Sequence, residues 1–148
     1  MRLQRGEDGF AGGAEAILFG MLVFVVGTLI VANAWGVVDT KLAADAAARE
    51  AARAYVESNG SPSALLDAKL AAAETLSGYG RSPGLGAVTF TGDAFGRCAR
   101  VTAVVAYPAP LLVLPFVGRV GRGEPVSAHH SELVDPFRSG LPGMANCR

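Results

Sequence analysis

The sequence predicts an α+β protein: a long N-terminal transmembrane helix extending into a small head, with a second helix and a roughly three-stranded antiparallel sheet. Three observations predict it. Residues 16–38, AILFGMLVFVVGTLIVANAWGVV, carry no charged side chain. Residues 40–58 are rich in alanine and contain neither glycine nor proline. Residues 97–107 alternate with the two-residue period of a half-buried strand. The chain therefore divides into a cytoplasmic tail or leader (1–15), a transmembrane helix (16–38) and an extracytoplasmic α+β head (39–148).

The apolar run organises the rest. As a helix, its 23 residues reach about 35 Å at 1.5 Å per residue, enough to cross a hydrocarbon core of about 30 Å with some tilt. In lipid the backbone must satisfy its own hydrogen bonds, so the run has to be helical there. A buried core helix is the plainer reading, but core helices seldom run so far without a polar face. Ala32-Asn33-Ala34 is an A-x-A match that keeps open a different reading, a secretory signal cleaved before Trp35. Against it stand the long segment before the apolar run, with Glu7, Asp8 and Glu15 among its charges, and the apolar residues that continue past Ala34. Arg2 and Arg5 precede the span while Lys41, Arg49 and Arg53 follow it, so the positive-inside count is nearly balanced and leans toward tail inside, head outside.

The helix is expected to continue into the head. Eight alanines lie between Ala43 and Ala54, and alanine is the best helix former. Asp45 with Arg49 and Arg53 with Glu57 are oppositely charged at i,i+4. Asn59-Gly60 supplies the stop. The alanine face is small enough to admit a neighbouring helix closely, in an assembly or within the protein's own head. Ser61-Pro62 restarts a helix with serine as N-cap and proline at the first position. Its apolar stripe reads as Leu65, Leu66, Leu70, Ala73 and Leu76, and the glycine-rich 78–84 segment reads as a linker.

Residues 87–91 form a first strand by composition, followed by a turn at 92–96. In 97–107, Cys98, Arg100, Thr102 and Val104 fall on one face and Val101, Ala103, Val105 and Tyr107 on the other. Pro108, Pro110 and Pro115 break the apolar segment that follows, which is too short to be a second span. Packing under the sheet is the common outcome for such a segment; an exposed apolar loop beside the membrane or a partner is the other. Residues 126–134 are the third strand, with Pro125 suited to an edge, and the chain from Pro136 reads as coil.

Composition narrows the function classes. A net charge of zero gives no basic face, so nucleic acid is not an expected partner. His129 and His130 are adjacent, and on a strand they point to opposite faces and cannot share a metal. No nucleophile elbow or carboxylate pair stands out, so neither catalytic residues nor a cofactor nor a metal is expected. Cys98 and Cys147 are too few for a disulfide scaffold and not spaced for zinc. They are candidates for one disulfide if the head lies outside the cytoplasm.

A glycine-rich tail, Glu15 at the start of the span, and Ala47-Ala48-Arg49-Glu50-Ala51-Ala52-Arg53 together resemble the TadE/TadG-type proteins of Tad (Flp) pilus systems. The stretch 101–112, VTAVVAYPAPLL, is similar to the strand and proline-rich turn of such proteins. The resemblance is clearest over residues 9–57 and weaker over 97–114. It implies a non-enzymatic, minor pseudopilin-like component of a pilus-assembly system, in the cell membrane of a bacterium. Its partners would be membrane lipid, other pilus-assembly proteins and pseudopilins, and a prepilin-type peptidase. Pilin-like leaders are cut after glycine, with glutamate fifth in the mature chain. Cleavage between Gly9 and Phe10 makes Glu15 sixth, and Ala16 stands where the family usually has phenylalanine. With that cut, the resemblance gives Glu15 a role in subunit packing, offsetting the new terminal ammonium of a neighbour within the bilayer.

Overall fold

The computed structural model describes residues 8–114 and 116–147; Arg2, Arg5, Glu7 and Pro115 of the sequence reading lie outside the described residues. The fold is α+β: helix α1 (Asp8–Glu57), helix α2 (Pro62–Gly78), a 3-10 turn (Pro83–Leu85), and strands β1 (Ala87–Gly92), β2 (Arg100–Leu114) and β3 (Gly118–Leu133). The sheet is antiparallel in the order β1-β2-β3.

Helix α1 is a single run of 50 residues, starting at Asp8 rather than at the edge of the apolar run. Once a helix is nucleated, each added residue brings one hydrogen bond, so a long helix carries its end through Gly9, Gly12 and Gly13 despite their low propensity. Its two halves differ in environment. The apolar half is exposed: the most apolar 18-residue window is 0% buried, and α1 is long and apolar enough to cross a membrane. The other half is the spine of the head. Thr40, Ala43, Ala44, Ala47, Ala48, Ala51, Ala52 and Val56 are buried at helical spacing, and α1 packs there against α2, β2 and β3. The alanine face is thus occupied by the protein's own head. The expected Arg53–Glu57 pair forms at 3.4 Å, whereas Asp45 pairs with Lys41 at 3.3 Å rather than with Arg49.

Helix α2 starts where Ser61-Pro62 places it, but the serine makes no side-chain cap bond; its Oγ sits 2.7 Å from Ser63 Oγ. The buried stripe is Ala64, Ala68, Ala72 and Leu76. This corrects the leucine stripe read from the sequence: Leu66 and Leu70 are each 58% exposed, and Leu65 is exposed as well. The reason is the helix partner. Two alanine faces let the axes approach closely, and a leucine in that seam would hold them apart. Gly60 makes the turn between the helices with φ +70°, and a Cβ there would lie 2.2 Å from the Phe95 ring. Phe95 meets Tyr55 edge-to-face and Phe90 meets it at a tilt, with centroids 5.4 and 5.1 Å away.

The expected face of β2 is the buried one: Val101, Ala103, Val105 and Tyr107 are all core residues. The strand boundaries differ from expectation. Cys98 lies before β2, at φ +63°. The 108–114 segment is not a break, because β2 continues to Leu114, and β3 begins at Gly118, eight residues before Val126. Prolines fit here for a local reason. β1 pairs only with residues 101–106 of β2, so beyond Ala106 one edge of β2 has no partner among the described residues and a missing N–H leaves no ladder bond unmade. Pro108 pairs with Pro125, and the register shifts between Pro108 and Pro110. The result is a two-stranded ribbon projecting from the sheet.

Candidate membrane anchor and assembly surface

Three polar residues inside the apolar half of α1, or at its end, bond back to the preceding turn: Thr28 Oγ1 donates to Phe24 O (2.8 Å), Asn33 Nδ2 to Leu29 O (2.7 Å) and Thr40 Oγ1 to Gly36 O (2.7 Å). Such bonds let a polar side chain sit in an apolar medium at little cost, since no donor is left bare. Ile17, Leu18, Phe19, Phe24, Ile30 and Val31 are largely exposed around the helix, an all-round apolar surface that suits lipid or a neighbouring span.

Glu15 is exposed, one residue before the run. Gly9 and Phe10 lie in the first turns of α1. These three belong to one end of the molecule. Cys98 and Cys147 belong to the other: their sulfurs are bonded at 1.99 Å, next to the cluster of Val56, Ala99, Val101 and Val134. From Glu15 to Val56 is about 60 Å of helix. The C-terminal coil is pinned at that far end by more than the disulfide. Arg138 Nη1 donates to Val56 O (2.8 Å), placing a cation at the carbonyl end of α1. Arg97 Nε donates to Arg138 O (3.0 Å), and Arg97 N–H to Pro142 O (2.8 Å).

At the foot of the head, where the apolar half ends, sits a pair that the sequence reading did not find. Gly80 takes φ +67°; its N–H donates to Ser77 O (2.8 Å) and the Arg81 N–H to Leu76 O (2.9 Å). This is a Schellman termination of α2, which needs glycine at the left-handed position. It turns Arg81 inward, to 3% exposure, and its Nη2 donates to Asp39 Oδ2 at 2.5 Å. The buried Arg81 Nε has no hydrogen-bond partner among the described residues. The segment read as a linker is therefore a clasp between α2 and the end of the apolar half. Gly80, two residues past the helix end at Gly78, was the readable signal; a buried arginine had none.

A cleft between the two helices is lined by Arg49, Glu50, Glu74, Thr75 and Tyr79 among others. His130 Nε2 lies 3.4 Å from Glu132 Oε1, and no group of three metal-ligating side chains occurs among the described residues. What the geometry offers is a helix long and apolar enough to cross a membrane, continuous with the head, and outward surfaces. Compared with protein-family models, curated proteins and solved structures, the chain matches none of them.

Proposed function

We propose that this chain is a membrane-anchored, non-enzymatic, minor pseudopilin-like component of a Tad (Flp) type pilus-assembly system, single-pass, with its head on the extracytoplasmic side. The observation that carries the reading is α1 itself: one uninterrupted helix whose exposed apolar half runs directly into the core of a small head. That layout packs by its span and presents its head, which is what a helical subunit array requires. The Cys98–Cys147 bond supports a head outside the reducing cytoplasm. The TadE-like tail, Glu15 and 47–53 motif supply the link to pili.

The test is the N-terminal residue of the mature protein from membranes, read by intact mass and terminal sequencing. The proposal expects a start at Phe10, with Glu15→Ala leaving insertion intact but impairing piliation. An uncut chain, or normal piliation in the Glu15 variant, overturns it. A second reading, a secreted or tethered binding domain unrelated to pili, is favoured by one observation: the buried residues of α1 begin at Thr40, so cleavage before Trp35 would leave the core whole. A mature start at Trp35 would establish it.

A further inference from the structure

We infer that the outward face of α2 is where a second copy of this chain docks: two α2 helices pair in parallel, with Leu66, Leu70 and Ala73 in the seam and Lys69 of each copy facing Glu74 of the other. This rests on the reading of α1 as a membrane span, because the bilayer fixes which way two copies can meet.

The face is laid out for a helix partner. Ser63, Leu66, Leu70, Ala73 and Ser77 recur at alternating steps of three and four, the a and d spacing of a coiled-coil seam. They lie opposite the buried Ala64, Ala68, Ala72 and Leu76, so the head's own core does not claim the two leucines. Leu66 and Leu70 are each 58% exposed and stand one turn apart on the same line. Charges flank the stripe on both sides. Lys69 is at the g position and Asp67 and Glu74 are at e. All three are exposed, and none takes part in a salt bridge among the described residues.

The orientation of α2 selects the partner. Gly60, just before α2, follows the end of α1 at Glu57, whereas Arg81, just past α2, returns to Asp39. Helix from Asp39 to Glu57 covers about 27 Å, and the 17 residues of α2 cover about 26 Å. Helix α2 therefore runs back antiparallel along α1 and shares its axis direction. Copies anchored in one bilayer with the same topology are related by an axis along the membrane normal, so their α2 helices meet parallel. In a parallel pair, g of one helix faces e of the other's next heptad, which sets Lys69 against Glu74 twice. An antiparallel pair sets g beside g and e beside e, with Lys69 against Lys69 and the carboxylates against each other. The charges thus fit a second copy in the one orientation the membrane permits. The seam is only about two heptads long, and shared anchoring in one bilayer raises the effective concentration that so short a seam needs. Helix α1 stands on the far side of α2 from the seam. With interaxial distances of about 8–10 Å, the two spans are then about 24–30 Å apart. The contact adds to any packing between spans and does not replace it.

The experiment uses the purified full chain in phosphatidylcholine vesicles. Leu70→Cys is the reporter, Ala73→Cys a second one at the next seam position, and Thr89→Cys, exposed on β1, the control for random collision. Flotation with the vesicles reads the span. Mild oxidation and peptide mapping read a bridge between introduced thiols, and show that Cys98 is still joined to Cys147 in each variant. Expected is cross-linking of floated protein through position 70 or 73 about tenfold faster than through 89, and lost when Leu66→Glu is added. Lys69→Glu alone, or Glu74→Lys alone, should slow it about fivefold at low salt. Mixing those two variants should restore it, with the mixed pair dominant. Floated protein that cross-links no faster through the seam than through 89 overturns the inference and leaves the span reading standing. Cross-linking that ignores charge reversal also overturns it, because the copies then meet in another arrangement. Protein that fails to float removes the span reading and the inference together.

Discussion

Asp39→Asn should destabilise the head far more than an exposed carboxylate normally would. Arg81 is 3% exposed while Asp39 is about half exposed, and one 2.5 Å hydrogen bond joins them. Removing a partner from a fully buried pair costs 3–5 kcal/mol, whereas exposed pairs contribute about 0–1 kcal/mol. With one buried member and one half-hydrated member, about 2 kcal/mol is expected. That is roughly a 30-fold shift in the folding equilibrium, or about 10 °C in melting temperature for a head of this size. The charge must be stranded for this to hold, so the decisive variant is the double one. Asp39→Leu with Arg81→Met removes both charges and should recover most of the loss. Near-ultraviolet circular dichroism of the full chain in detergent follows the Tyr55–Phe90–Phe95 cluster and reads head melting while the span stays helical. Additive losses in the double variant would refute the reasoning, because two independent packing defects, not a buried unpaired cation, would then explain them.

The remaining predictions concern other joints of the fold. Gly80→Ala should cost about 1–2 kcal/mol from the left-handed conformation alone, read in the same melting experiment. Ala47→Leu or Ala48→Leu should cost at least 1–3 kcal/mol by forcing α1 from its neighbours, whereas Leu66→Glu, on the outward face of α2, should change stability by no more than about 0.5 kcal/mol. Cys98→Ser should lower stability by up to about 4 kcal/mol, the chain-entropy value for the 49-residue separation, and proteolysis of the variant should begin in the C-terminal coil.

The elements most legible in the sequence were those whose pattern has a single physical cause. An uncharged run of span length, an alanine tract without breakers, Ser-Pro at a helix start and strict alternation at 101–107 each point to one local structure, and each is present. The errors arose where tertiary context decides. Counting large side chains as core placed the leucines of α2 inside, because the small seam opposite them lies on another helix. Reading proline as a strand breaker ended β2 at Tyr107, because sequence does not show that β1 stops pairing at Ala106. The Asp39–Arg81 clasp was out of reach for a similar reason: it joins residues 42 apart through a glycine turn that alone looked like a linker. Of the candidate residues, the cysteines and Glu15 were recognisable by type, but only the fold shows that they stand at opposite ends of α1.

That separation constrains how such a chain can assemble. The alanine face, the natural place for close helix packing, is filled by α2 and the sheet, so neighbouring subunits cannot use it without unfolding the head. In the proposed assembly, contacts between subunits would then come from the exposed apolar half of α1 and from outward features of the head, such as Leu66 and Leu70. The two regions are mechanically coupled. Between Val37 and Glu57 there is no glycine or proline, and the clasp at Asp39 ties α2 to the helix just where the apolar half ends. A rotation or shift of the span in its packing is then passed to the head as a rigid-body movement, because no hinge residue lies between them to absorb it. Inserting a Gly-Gly pair after Val38 tests this coupling. It should leave both the span and the head folded, with the disulfide intact, yet abolish assembly if the head must be held in register with the span. Normal assembly with such a hinge would show that the two halves act independently.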